Sequence, residues 1–165
     1  MTRTRALVLA AATAVAGCAQ PSELTLPGPD EVAAYYEYDA GLAAEVNGNV
    51  ATITVAQDAQ QIRRGGSLWA KVGPYVFLFT EETRALFVDY PGLAAVRVVT
   101  RVGEADVASA LLTRDELSDV LWRRGLNIAG RARLDGTSRV TLLEELVRWG
   151  ESHTEFEYDS RFVRR

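Results

Sequence analysis

The sequence predicts an α+β domain, a mostly antiparallel sheet with two C-terminal helices packed on one face. Three observations carry this expectation. Asn47-Gly48 sits between two runs of alternating apolar residues, a strong hairpin signal. The β-rich runs fall in the first two thirds of the chain. The two long segments of helical period come late. Strands first and long helices last disfavour a doubly wound parallel sheet, in which the two alternate.

Ala19–Pro29 holds Pro21, Pro27, Gly28 and Pro29 and reads as a tether. Asp30–Gly41 admits a helix from Glu31 capped by Asp30, or a strand in which Tyr36 and Tyr38 alternate. With a two-residue turn at Asn47-Gly48, Val46 faces Asn49, Ala44 faces Ala51 and Leu42 faces Ile53. That pairing puts Leu42, Ala44, Val46, Ala51, Ile53 and Val55 on one apolar face. Asp58 is placed to cap a short helix to Arg64, which Gly65-Gly66 ends. Ser67–Thr80 is rich in aromatic and branched residues and is divided by Gly73-Pro74, which reads as two strands. Thr80 before Glu81-Glu82 starts a helix over 81–89, with acids in its first turn and Tyr90-Pro91-Gly92 as its stop.

Ala94–Val102 is a strand, Gly103-Glu104-Ala105 a turn and Asp106–Leu112 the returning strand. Thr113-Arg114-Asp115-Glu116 has the form of a capping box. The helix it opens carries the stripe Leu117, Val120, Leu121 and Ile128, with Gly125 as a point where it breaks or bends. A second helix near Ser138–Trp149 turns Leu142, Leu143, Leu146 and Val147 inward and stops at Gly150. His153–Asp159 alternates strictly and predicts a last strand.

Composition narrows the function classes. Eighteen basic residues stand against 22 acidic ones, a formal net charge of −4. An acidic chain lacks the basic footprint that nucleic-acid binding needs, so no nucleic-acid partner is expected. Cys18 is the only cysteine, so the fold uses no intramolecular disulfide. No glycine-rich phosphate loop or other cofactor motif is present, and no cofactor is expected.

The first residues specify an address. Arg3 and Arg5 precede the apolar run Ala6–Ala16, which is too short for a bilayer span of about 20 residues. Val15-Ala16-Gly17-Cys18 resembles the lipobox of bacterial lipoproteins. The resemblance covers residues 1–20 only. It implies that 1–17 is a lipoprotein signal peptide and that Cys18 is lipidated and begins the mature chain. It also implies that 18–29 is anchor and tether, before a single domain over 30–165. Ala19 after the cysteine resembles the class sorted to the periplasmic face of the outer membrane, if the host is Gram-negative. An ordinary signal-peptidase cut at Ala14-x-Ala16 is the competing reading.

Three sets of residues are candidate sites. On one continuous helix Arg124 falls within the apolar stripe, while Trp122 and Leu126 fall on the other side. Trp and Arg are enriched at binding hot spots, so Trp122, Arg124 and Leu126 form a candidate docking surface. His153, Glu155, Glu157 and Asp159 would share one face of a strand and offer a polar or metal-binding row. Strand residues two apart are about 7 Å from each other, too far for more than two to reach one ion. Tyr35, Tyr36 and Tyr38 beside Glu37, Asp39 and Glu45 offer a glycan-like surface.

Together these features predict an envelope lipoprotein with a non-catalytic module that binds or assembles with an envelope protein. An envelope hydrolase acting on cell-wall glycan or peptide through carboxylates is the first alternative. The second is a small-ligand carrier with a groove lined by Trp69, Phe77, Phe79 and Trp149.

Overall fold

A computed structural model describes residues 24–36 and 42–163. Cys18, the segment 1–17 and, in the tyrosine cluster, Glu37, Tyr38 and Asp39 lie outside the described residues. The elements in chain order are α1 (Pro29–Tyr35), β1 (Leu42–Asn47), β2 (Val50–Ala56), α2 (Ala59–Leu78) and α3 (Glu81–Asp89). Then come β3 (Ala95–Val102), β4 (Ala105–Thr113), α4 (Asp119–Asp135), α5 (Val140–His153) and β5 (Glu155–Tyr158). The five strands form one mixed sheet in sequential order. Only β2 and β3 run parallel, joined by the α2–α3 crossover; the other neighbours are antiparallel.

The stretch after the tether is helical. Gly28 donates its backbone N–H to the Glu31 carboxylate at 2.7 Å, and Pro29 opens the first turn. The hairpin forms with its turn one residue later than expected. Asn47 pairs with Val50, Val46 with Ala51, Ala44 with Ile53 and Leu42 with Val55. A turn on Asn47-Gly48 would need positive φ at both residues; the observed Gly48-Asn49 turn needs it only at Gly48, which has φ 60°. Each partner shifts by two residues, so the apolar face is the predicted one, with Ala51, Ile53 and Val55 buried.

The two strands expected over Ser67–Thr80 are instead the second half of α2. Asp58 caps α2 as predicted, accepting from the Gln60 N–H at 2.7 Å. Gly66, at φ 64° and ψ −152°, bends the chain, and the helix then continues through Pro74 to Leu78. Leu68, Val72, Tyr75, Val76 and Phe79 recur every three or four residues. That period, and not their β-prone chemistry, decides the structure. α3 starts at Thr80 as expected, whose hydroxyl accepts from the Thr83 N–H at 3.2 Å.

The capping box at Thr113 does not form. Thr113 is the last residue of β4 and pairs with Ala95. Next to it, Arg114 gives its guanidinium N–H groups to the carbonyls of Phe87, Tyr90 and Leu93, which pins this segment to the end of α3. α4 begins later, capped by Ser118. The buried face also differs from the expected stripe. Trp122, Gly125, Ile128, Ala129 and Ala132 are buried, while Val120, expected inside, is exposed. Gly125 does not break the helix; a Cβ there would lie 2.9 Å from Trp149 Nε1, so the glycine lets α4 and α5 come close. Gly150 is likewise inside α5 and not its stop.

α2 lies on β3 and β4, α5 packs on α2, and α4 packs on α5. Leu142, Leu143, Leu146 and Val147 are buried as predicted. The other face of the sheet carries exposed Glu45, Arg97, Arg101, Glu155 and Glu157. No described helix is long and apolar enough to cross a membrane.

Candidate functional site

The expected docking set divides. Trp122 is only 6% exposed and meets the Phe87 ring edge-on at 6.4 Å. It is a core residue, because Trp122, Gly125, Ile128, Ala129 and Ala132, spaced three or four apart, form the buried face of α4, while Leu117 of the expected stripe lies before the helix. Arg124 is on the surface, with its guanidinium 5.2 Å from the Trp149 ring centroid. Leu126 is half-buried on another side of the helix. These three residues therefore do not form one exposed patch.

The polar row also breaks up. His153 is the last residue of α5, not part of a strand. Its Nδ1 is 3.2 Å from the Glu116 carboxylate, and its ring lies 4.2 Å from the Trp149 ring. Glu155 and Glu157 stand on β5 and are exposed, while Asp159 follows the strand and pairs with Arg161. Among the described residues no group of three or more His, Cys, Asp or Glu could hold a metal ion. Of the tyrosine cluster, Tyr36 is buried and shares a 2.6 Å hydrogen bond with the Thr83 hydroxyl. Tyr35 donates to Asp89 at 2.6 Å, and this bond to a carboxylate is the main cause that pushes its hydroxyl up to about 12.

The structure does bring together part of the expected carrier groove. Trp69 and Phe77 line a groove along α2, whereas Phe79 and Trp149 lie in the core. Its central part, about 330 Å³, is walled by Gln57, Trp69, Gly73, Phe77, Arg133 and Leu143. It shares Val76, Phe77 and Arg133 with a space of about 530 Å³ that reaches Glu81, Glu82 and Leu126. At the other end it shares Asp58, Gln61, Trp69 and Thr137 with a space of about 560 Å³. The walls are thus apolar, with carboxylates, carboxamides and Arg133 at intervals. Arg133 is held in place by donating to the Val76 carbonyl at 2.7 Å.

Gln57 is the distinctive group. Its Nε2 donates to the Trp69 carbonyl at 3.4 Å, and its Oε1 is buried with no hydrogen-bond partner among the described residues. A Cβ at Gly73 would come within 2.1 Å of Gln57 Nε2, so the glycine makes the room that the carboxamide occupies. A buried acceptor left without a donor costs roughly 1–3 kcal/mol. Sequence reasoning missed Gln57 because a glutamine at a strand end has no periodic signature. The Gly73 opposite it was the available signal, and it was read as a strand break.

A half-buried network fixes α2, α5 and β5 together. Tyr75 and Tyr158 share a 2.6 Å hydrogen bond, Tyr158 donates to Glu151, and Lys71, the chain's only lysine, bonds the same carboxylate at 2.9 Å. Burial pushes the Tyr75 hydroxyl up to about 12; burial, then the Tyr75 contact, raises Tyr158 as well. Groups held this firmly in their neutral form are structural and poorly placed for proton transfer near neutral pH.

In comparisons with protein-family models, curated proteins and solved structures, nothing matches this chain.

Proposed function

We propose that the chain is a bacterial envelope lipoprotein, anchored through lipidated Cys18, whose domain is a non-catalytic module that binds an extended segment of an envelope protein in the α2 groove. In a Gram-negative host its place would be the periplasmic face of the outer membrane. In this reading the two C-terminal helices pack as a pair on the side of the sheet that α2 covers, and α4 supplies one wall of the groove. The observation that carries the proposal is the mainly apolar groove along α2, walled by Trp69, Phe77 and Leu143. An apolar channel of this kind favours a ligand that brings apolar side chains. From Trp69 to Phe77 the helix advances about 12 Å at 1.5 Å per residue. Four extended residues, at about 3.3 Å each, cover that distance. The anchor would confine encounters to one membrane plane and raise the effective concentration of partners there.

The size of the central cavity favours a second reading, a carrier of small ligands, because about 330 Å³ lies at the lower end of small-molecule sites. The experiment is photo-crosslinking in cells from a reactive amino acid placed at residue 77, with residue 45, exposed on the opposite face of the sheet, as control. One discrete protein adduct from residue 77, lost on Trp69→Ala with folding intact, is the expected result. A retained small molecule in native mass spectrometry, with no adduct, would favour the carrier. Cleavage of cell-wall fragments that stops on Glu82→Gln would make the module a hydrolase and end the binding-only reading.

A further inference from the structure

We propose that the end of the domain formed by Leu24–Gly28 and the α3–β3 turn contacts the membrane, lying against the leaflet that holds the Cys18 anchor. This rests on the lipid-anchor reading. Two independent observations lead to it.

The first is where the tether is fastened. Gly92 donates its backbone N–H to the Thr25 carbonyl at 3.1 Å. A Cβ at Gly92 would be 2.6 Å from the Leu24 carbonyl oxygen and 2.8 Å from that of Thr25. Leu24 and Thr25 therefore lie flat on the α3–β3 turn. Cys18 is six positions before Leu24, and six residues reach about 20 Å at full extension. A lipidated cysteine sits at headgroup depth because its acyl chains occupy the hydrocarbon. The turn at Gly92 is thus never more than that distance from the lipid.

The second is what this end displays. Leu24 is 66%, Leu26 44% and Val88 70% exposed. Tyr35 at the end of α1 and Tyr90 at the end of α3 have ring centroids 6.3 Å apart. Leucine and valine gain by leaving water, and tyrosine favours a boundary that is apolar on one side and wet on the other. The charged residues of the adjoining helix ends are acidic, Asp30 and Glu31 in the first turn of α1 and Asp89 at the end of α3, so anionic headgroups add nothing. The contact is shallow and apolar. It orients the domain and leaves attachment to the lipid chains.

The experiment uses the full lipidated chain in phosphatidylcholine vesicles that contain a headgroup-nitroxide lipid. Leu26→Cys, Val88→Cys and Glu104→Cys each provide a single free thiol for a fluorophore, because Cys18 is blocked by lipid. All three positions are exposed, so the labels leave the core intact. Glu104 lies beyond the far end of β3, about 26 Å along an eight-residue strand. Emission from residues 26 and 88 is expected to be quenched and that from residue 104 retained. Equal quenching at all three, or none at 26 and 88 while the protein floats with the vesicles, would overturn the membrane contact alone. Failure to float, together with labelling of Cys18 in the unsubstituted chain, would show instead that the anchor is absent. The membrane contact would then fall with it.

Discussion

Gly150 sits where α5 crosses α2, and a Cβ there would come within 2.3 Å of the Tyr75 ring. Neither helix has slack at that point, since Tyr75 is fully buried and stacks on Phe79 at 6.2 Å. Gly150→Ala is therefore expected to destabilise by about 1–3 kcal/mol, as overpacking does. A urea titration that shows no loss, or a gain from better helix propensity, would contradict this packing. Tyr75 also gives the domain a response to alkali. Its hydroxyl is raised to about 12 by burial, above the value near 10 of an unfolded tyrosine. The stability that this shift contributes is complete below about pH 10 and is lost as pH rises toward 12. The urea midpoint is expected to hold up to about pH 10 and fall above it, more gently in Tyr75→Phe. Tyr158, raised in the same direction, still titrates in that variant, so some slope remains. Identical slopes in the two proteins would remove Tyr75 from the account.

At the scale of elements, legibility followed how local the signal was. Caps at Asp58 and Thr80 could be read because a side-chain oxygen two or three residues from an orphan N–H is a local matter. The apolar face of the hairpin was readable for the same reason, although its turn was not, because the position of one positive φ moved it. α2 was misread in its second half, where branched and aromatic residues point to strand while their spacing points to helix. Tertiary contact with the sheet and α5 settles that conflict, and no local pattern shows it. Thr113 failed as a cap for the converse reason: β3 had already claimed it. The bend of α2 offers a test at this scale. Gly66 has φ 64° and ψ −152°, a region essentially closed to residues with a Cβ. Open space surrounds the position, so a methyl there meets no neighbour and the whole effect is backbone strain. Gly66→Ala is expected to cost about 1–3 kcal/mol. An unchanged unfolding midpoint would mean that the two halves of α2 are not held at this angle.

At the scale of the whole molecule, the candidate site was the least legible part. The docking and metal sets were built on helix and strand phases that α4 and α5 do not keep. His153 left its row because α5 runs four residues past Trp149, and Trp122 went inside because it shares a face of three- and four-residue spacing with Gly125, Ile128, Ala129 and Ala132. The groove needs α2, α4 and the end of β2 to meet, which no single stretch encodes. Attachment, in the proposed reading, is a different kind of property, assigned to Cys18, which lies outside the described residues. Among the described residues the core runs from Val32 through Trp149. Each buried CH2 of an acyl chain is worth about 0.8 kcal/mol, so two long chains on Cys18, as proposed, would hold the protein on a bilayer far more strongly than Leu24, Leu26 and Val88. Folding and attachment should then separate cleanly. Cys18→Ala is expected to move the protein from the membrane fraction to the soluble one while its urea midpoint stays where it was. A variant that remains with the membrane would show that lipid on Cys18 is not the anchor. A variant that leaves the membrane but unfolds earlier would show that the anchor also braces the domain.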